Sequence, residues 1–524
     1  MLNKIINPVW SVAFLIFIAL LSMVFHMPEE AVLILILIYF SVIVFSHPVN
    51  GIYFLLIIIP FALGNSKRPF YIVLECLVYI IILSSVLHMD RKESKSDSIP
   101  YKRLVIIFFL FSLLSLPLDL KQLYYEIRGE AFNNPVVWLI HSFRKFSSGN
   151  EGNNLYWLRS ISNLFSGISL YFVTTYFIKD KQQIERSFFP VWLISVIVVV
   201  VGYVFLYDII PHNGTYLSLS LVGQARGRMT AFAYNEGYLG QYLIVALPFV
   251  AFYLNRWREN KIVFFAATGT VLLLVLTIPQ TLQRGVVIAL FSQFIIFSFY
   301  YFIISQNKKK VILRAFLVIF SALILMYAVD HFVLKDQGSH RIINEWQKPG
   351  LRFKQWAAAM EMFKVHPVLG IGFGKYHYFF PKYCKLAGFA FKWKFWYVRT
   401  TAHNLYLHIL AERGALGLLS FLLLMGCIFK DIFKNIRKME PSQRSLIIAL
   451  SVSLWGWLTY GLTQYMFYLR SMELFFWIML GFLAVLLRDY IKPVLIIRKI
   501  YIGIGAAFVA LLVYRFWVVY HYVV

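Results

Sequence analysis

Acidic residues are scarce in this chain: 24 Asp and Glu stand against 50 Lys and Arg in 524 residues. Charged residues of both signs reach only 14%, well below the roughly 25% of an ordinary soluble domain. Cysteine is nearly absent too. Cys76 and Cys427 fall in apolar runs and Cys384 stands alone in a loop, so no disulfide framework is expected. There is no internal repeat and no low-complexity segment. The glycine-rich stretch Gly370-Ile371-Gly372-Phe373-Gly374 follows no predicted strand and lacks the lysine of a phosphate loop, so nucleotide binding of that type is excluded.

What fills the chain instead is apolar: 60% hydrophobic and 18% aromatic residues, with a mean hydropathy of +0.71. The expected class is an all-α polytopic membrane protein. Runs long enough to cross a bilayer fall near 8–26, 30–46, 50–64, 70–88, 103–118, 161–178, 188–207, 232–254, 262–278, 285–304, 311–330, 404–428, 445–467, 472–487 and 500–520. That is about fifteen helices, with 13–15 the expected range. The first run is flanked by Lys4 and followed by no small-residue cleavage site, so it reads as an anchored helix.

The formal charge of +26 does not call for nucleic acid, because the basic residues sit mostly in short loops between spans. Arg91 to Arg103, Lys179 to Arg186, Arg256 to Lys261, Lys308 to Lys310 and Lys430 to Lys438 all land on one side when the helices are taken in order. The positive-inside rule makes that side cytoplasmic and puts the N-terminus inside. The chain then divides into a transmembrane region 1–330 with short outward loops, a basic outward loop 331–402, and C-terminal transmembrane helices 403–524.

The segment 331–403 holds twelve Lys and Arg against Asp336, Glu345 and Glu361. Loops above about 60 residues escape the charge rule, so export is compatible with this excess, and an anionic substrate would explain it. Within it, Arg352 to Phe363 reads as an amphipathic helix ended by His366-Pro367, and the three alternating glycines that follow allow a tight turn whose backbone approaches another group closely.

Three arginines stand at outward helix ends: Arg228, Arg284 and Arg352. A guanidinium fork suits a diphosphate, being permanently charged and able to make paired hydrogen bonds to phosphate oxygens. His403 opens a late apolar helix at the same membrane face, where a neutral imidazole with an ordinary pKa near 6.5 can take a proton from an attacking hydroxyl. His408 points elsewhere and reads as packing. No second histidine or carboxylate is placed at ligand spacing on this helix, so no metal site is expected. Glu29-Glu30, in the first outward turn, reads as surface charge.

Thr401 to Gly417 contains His403-Asn404, nine residues, then Gly414-x-x-Gly417. That spacing resembles the signature of bacterial O-antigen ligases, within the O-antigen ligase and polymerase superfamily of membrane glycosyltransferases. Arg228-Met229-Thr230-Ala231-Phe232 with Asn235, Gln283-Arg284-Gly285, and Arg352 through Gly374 resemble further family segments, with Ala231-Phe232 and Gln283 as departures. The resemblance implies a GT-C-like, metal-independent, inverting enzyme in the bacterial inner membrane, acting on the periplasmic face without a cofactor. Its donor would be a glycan on undecaprenyl diphosphate and its acceptor a hydroxyl on lipid A-core or on another lipid-linked glycan, all within membrane lipid. Arg228 and Arg284 would hold the diphosphate and His403 would activate the acceptor, with Arg226, Arg352 and Asn404 as further substrate contacts. The His-Asn spacing favours a ligase; the span count favours the alternative, a polymerase of lipid-linked repeats. A polysaccharide-lipid flippase is the more distant alternative, for which the mid-span acids reduce to Glu75 and Glu473.

Overall fold

The computed structural model describes residues 29–63, 69–89, 99–115, 156–206, 236–281, 283–328, 331, 350–389 and 400–491. Every regular element among them is helical. In chain order these are α1 (Glu29–Ser46), α2 (Pro48–Ile58), α3 (Pro69–His88), α4 (Lys102–Leu114), α5 (Tyr156–Phe177), α6 (Lys181–Leu206), α7 (Glu236–Arg256) and α8 (Lys261–Gln280). There follow α9 (Arg284–Ile304), α10 (Lys308–Ala328), α11 (Leu351–Val365), α12 (Tyr376–Leu386), α13 (Leu405–Asn435), α14 (Pro441–Tyr460) and α15 (Arg470–Leu487).

The protein is a multi-pass membrane protein, helical throughout its described residues. Among the described residues, α6, α7, α8, α9, α13 and α15 account for the six helices long and apolar enough to cross a membrane, and α1, α2 and α3 add shorter apolar stretches. The apolar runs near 8–26 and 500–520 lie outside the described residues. Some runs that read as spans are shorter as helices: α4, with 13 residues, is only about 20 Å long against a hydrocarbon core of about 30 Å.

The chain divides into two compact units. One comprises Met1–Pro100, Ser166–Pro349 and Phe429–Arg488; the other comprises Tyr101–Phe165, Gly350–Ile428 and Asp489–Val524.

In the first unit α15 is buried along its whole length. Arg470 at its start is 2% exposed and donates from Nε to Glu75 Oε1 on α3 at 3.1 Å, from Nη1 to Glu473 Oε2 at 3.2 Å, and to Ser166 on α5. Both mid-span acids read from the sequence are therefore partners of one arginine.

Polar glue of a second kind joins α7, α9 and α14. Gln293 Nε2 donates to Ile244 O at 2.8 Å and to Val452 O at 3.1 Å, while Ser453 Oγ donates to Val245 O at 2.7 Å. Side-chain amides and small residues hold membrane helices together where hydrophobic burial offers little advantage over lipid. Gly456 makes the approach possible: a Cβ there would lie 2.2 Å from Gln293 Nε2 and 2.7 Å from Ile244 Cγ2. Gly456→Val should therefore overpack this contact at a cost of ~1–3 kcal/mol. The check is the melting temperature of detergent-purified protein, expected to fall by several degrees. Gly426→Ala is the control, since its Cβ meets nothing within 4 Å.

Candidate active site

The second unit is built on the hairpin of α11 and α12. On α11 the residues Gln355, Ala358, Ala359 and Met362 are buried, an i, i+3, i+4, i+7 stripe that a helix places on one face. Ala358, Ala359 and Met362 pack with Tyr376, Phe380, Tyr383 and Cys384 of α12 and with Ala402 and Ala411. The helix ends at Val365, with His366 as its cap, where His366-Pro367 predicts.

The run 404–428 reads from the sequence as one uninterrupted helix. In the structure Gly414 breaks it, with φ +63° and ψ −167°. In a continuous helix Ala415 and Leu416 N–H would donate to Ala411 and Glu412 O. Here Ala415 N–H donates to Pro367 O at 2.8 Å and Leu416 N–H to Val368 O at 3.3 Å, while Ala411 O accepts from Ile371 N–H at 2.9 Å and Glu412 O from Gly372 N–H at 3.1 Å. The segment after α11 is thus inserted into the break, and all four opened backbone groups are paired, as burial in a membrane protein requires. The three glycines serve this insertion. Gly370, Gly372 and Gly374 have φ of +69°, +116° and +76°, and a Cβ on Gly370 would lie 2.4 Å from the Glu412 carbonyl carbon. The close approach expected from the sequence is made to α13 itself.

Two buried charges flank the break. Arg413, 2% exposed, lies with its guanidinium carbon 3.9 Å from the Phe373 ring centroid and 5.1 Å from that of Phe108, and Nη1 donates to Ser112 Oγ at 3.1 Å. It is the last residue of its helical segment, where the partial negative charge of the helix end favours a cation. Glu412, also 2% exposed, accepts at Oε1 from Tyr376 N–H at 3.0 Å and meets His408 Nε2 at 3.3 Å.

His408 is buried, as its reading as packing expects. The expectation that no second histidine or carboxylate lies at ligand spacing on this helix is corrected: His408 and Glu412 stand at i and i+4, and one helical turn brings them together. Even so, no three His, Cys, Asp or Glu side chains among the described residues group as a metal-holding set. Nearby, burial lowers the pKa of His377 to about 4, with Lys375 and His408 pressing the same way and Glu412 opposing. His377 is therefore neutral at physiological pH.

His403 is half-buried. It does not begin the helix; it precedes the cap, with φ +44°, a left-handed conformation uncommon for non-glycine residues but more accessible to Asn, Asp and His. Its N–H donates to Thr401 Oγ1 at 3.3 Å. Asn404 caps α13, its Oδ1 accepting from Tyr406 N–H and Leu407 N–H, both at 3.0 Å, so its side-chain oxygen is committed to the helix start. Arg352 is exposed on the first turn of α11.

Arg284 belongs to the first unit and is the first residue of α9. Gly285 lets this turn approach the end of α14, since a Cβ there would fall 2.0 Å from Thr463 Oγ1. A guanidinium at the positive end of a helix dipole favours an anion. Arg226 and Arg228 lie outside the described residues.

The sequence profile of the O-antigen ligase family matches residues 269–422. This stretch is similar to the O-antigen ligase family. The match supports the O-antigen ligase and polymerase superfamily read from the motifs. The matched stretch takes in Arg284 and α9, the α11–α12 hairpin, His403 and the broken helix up to position 422. Sequence reasoning missed Glu412 and Arg413 within it; the signal was an acid and a base directly before a glycine in a span otherwise apolar. No curated protein matches the chain.

Proposed function

We propose that the protein is an inverting, metal-independent membrane glycosyltransferase of the ligase type, which moves a glycan from undecaprenyl diphosphate to a hydroxyl of lipid A-core on the periplasmic face of the inner membrane. The observation that carries this reading is the similarity of residues 269–422 to the O-antigen ligase family, a stretch that contains both Arg284 and His403. The acceptor oxygen attacks the anomeric carbon as the bond from that carbon to the diphosphate oxygen breaks. The hydroxyl proton passes to the His403 imidazole, and the diphosphate leaves with the bonding electrons. Arg284 and Arg228 would stabilise the charge that grows on the leaving group. Further support comes from Glu75 and Glu473. Both are bonded to Arg470, so they are partners in a buried ion-pair network and not isolated charges along a transport path.

Arg284→Ala should weaken transition-state binding by ~1.5–3 kcal/mol, roughly ten- to a hundredfold in kcat/KM. Lysine should recover only part of it, because a point charge cannot reproduce the fork. Full activity in Arg284→Ala at wild-type expression would remove that arginine from the site.

The location is tested by labelling in a background free of Cys76, Cys384 and Cys427. A cysteine at exposed position 364 should react with an impermeant thiol reagent in spheroplasts, and one at position 309 only after lysis. The opposite pattern would overturn the periplasmic assignment.

A further inference from the structure

We propose that His408 and Glu412 are positioning residues that hold His403 for catalysis through one backbone hydrogen bond, a role that rests on the ligase reading above. His403 takes a conformation that a non-glycine residue adopts only when its surroundings over-determine it. Its neighbours do this on both sides. Downstream, the Asn404 side chain is fixed by the start of α13. Upstream, Ala402 N–H donates to His408 Nδ1 at 3.2 Å.

That bond sets the state of the His408 ring. Accepting from a backbone N–H requires a lone pair on Nδ1, so the ring proton resides on Nε2, which faces Glu412 Oε1 at 3.3 Å. The same Oε1 accepts from Tyr376 N–H, so the start of α12, Glu412, His408 and Ala402 form one continuous chain of hydrogen bonds. The Tyr376 ring, 4.8 Å from the imidazole centroid, closes the remaining face. With 4% exposure and both nitrogens engaged, His408 presents no ring nitrogen to an acceptor. In the ligase reading that role falls to the half-buried His403. The buried pair therefore acts through the turn. It orients a base as the second shell of a metal site orients its ligands, by fixing the tautomer and direction of a supporting ring.

Two isosteric substitutions separate this role from simple packing. His408→Asn places an amide oxygen near the Nδ1 position and keeps an acceptor for Ala402. His408→Gln places its amide near Nε2, which keeps the Glu412 contact and loses that acceptor. Full-length protein in nanodiscs is assayed for transfer from a lipid-linked glycan to lipid A-core, and the rate of His403 carbethoxylation by diethylpyrocarbonate is followed separately by peptide mass spectrometry. His408→Asn should keep kcat and the His403 modification rate close to wild type. His408→Gln should lower kcat roughly ten- to a hundredfold with donor KM unchanged, the size expected for a misplacement of about 1 Å, and should change the modification rate.

Equal behaviour of the two variants, or a wild-type modification rate in His408→Gln, would overturn the proposal. Glu412→Gln and Glu412→Ala provide a second pair, the first keeping Oε1 and the second removing it, with the same ordering expected. If His408→Gln and Glu412→Ala both fail to accumulate while their partners fold, the pair is a folding determinant and the positioning role is overturned. Absence of glycan transfer by the wild-type protein would defeat the ligase reading alone, because the modification rates still report how His403 is held.

Discussion

Replacing His403 by alanine is expected to lower turnover ~10²–10⁴-fold, the usual cost of removing a general base, while leaving binding of the lipid-linked donor close to wild type. The base meets mainly the attacking hydroxyl, so its loss is felt in the transition state and little in the donor complex. Single-turnover transfer rates and equilibrium donor binding, measured on the same nanodisc preparation, separate the two. His403→Ala turning over normally, or losing donor binding as severely as Arg284→Ala, would make this histidine structural or phosphate-binding. The substitution also puts alanine at φ +44°, a conformation more accessible to His and Asn, so His403→Asn, which removes the imidazole and suits that backbone, is measured beside it and is expected to lose turnover to the same extent.

Gly414→Ala should be the most damaging small change to the fold. At φ +63° and ψ −167° the backbone is in a region essentially reserved for glycine, with a penalty of ~1–3 kcal/mol for other residues. A Cβ would also lie 2.2 Å from Val368 O and 2.3 Å from Val368 C, and both are backbone atoms that cannot rotate away. Relieving the clash means withdrawing the inserted segment, which breaks four backbone hydrogen bonds and leaves their groups unpaired at ~1–3 kcal/mol each. The expected result is little or no folded protein by size-exclusion chromatography of the solubilised membrane fraction. A Gly414→Ala protein with a wild-type melting temperature would mean that the segment from Pro367 to Gly372 is not lodged in the helix break.

The helical membrane class was legible because run length alone signals a buried or membrane helix. The family resemblance was legible through motif spacing. What joins these residues was not. Gly414 sits in an apolar run where one glycine is commonly tolerated, and the segment that fills the break comes from about forty positions earlier; only the alternating glycines at 370, 372 and 374 announced that some backbone would come close. Glu412 and His408 are helical neighbours, but an i,i+4 acid and histidine usually mark a solvated face, and here both are buried. Glu75 looked like an isolated charge because its partner, Arg470, is 395 residues away in sequence. The amphipathic helix of the loop was found almost to its boundaries because its buried positions repeat at helical spacing and His366-Pro367 stops it.

The most direct test of the central claim is covalent transfer itself. Purified protein in nanodiscs is given a radiolabelled glycan on undecaprenyl diphosphate, in EDTA, with and without lipid A-core, and the products are separated by size. The expected result is label on lipid A-core only when that acceptor is present, formed by the wild type and lost in His403→Ala. Laddered lipid-linked chains without lipid A-core would make the protein a polymerase, and the absence of any new glycosidic bond in either mixture would contradict the account.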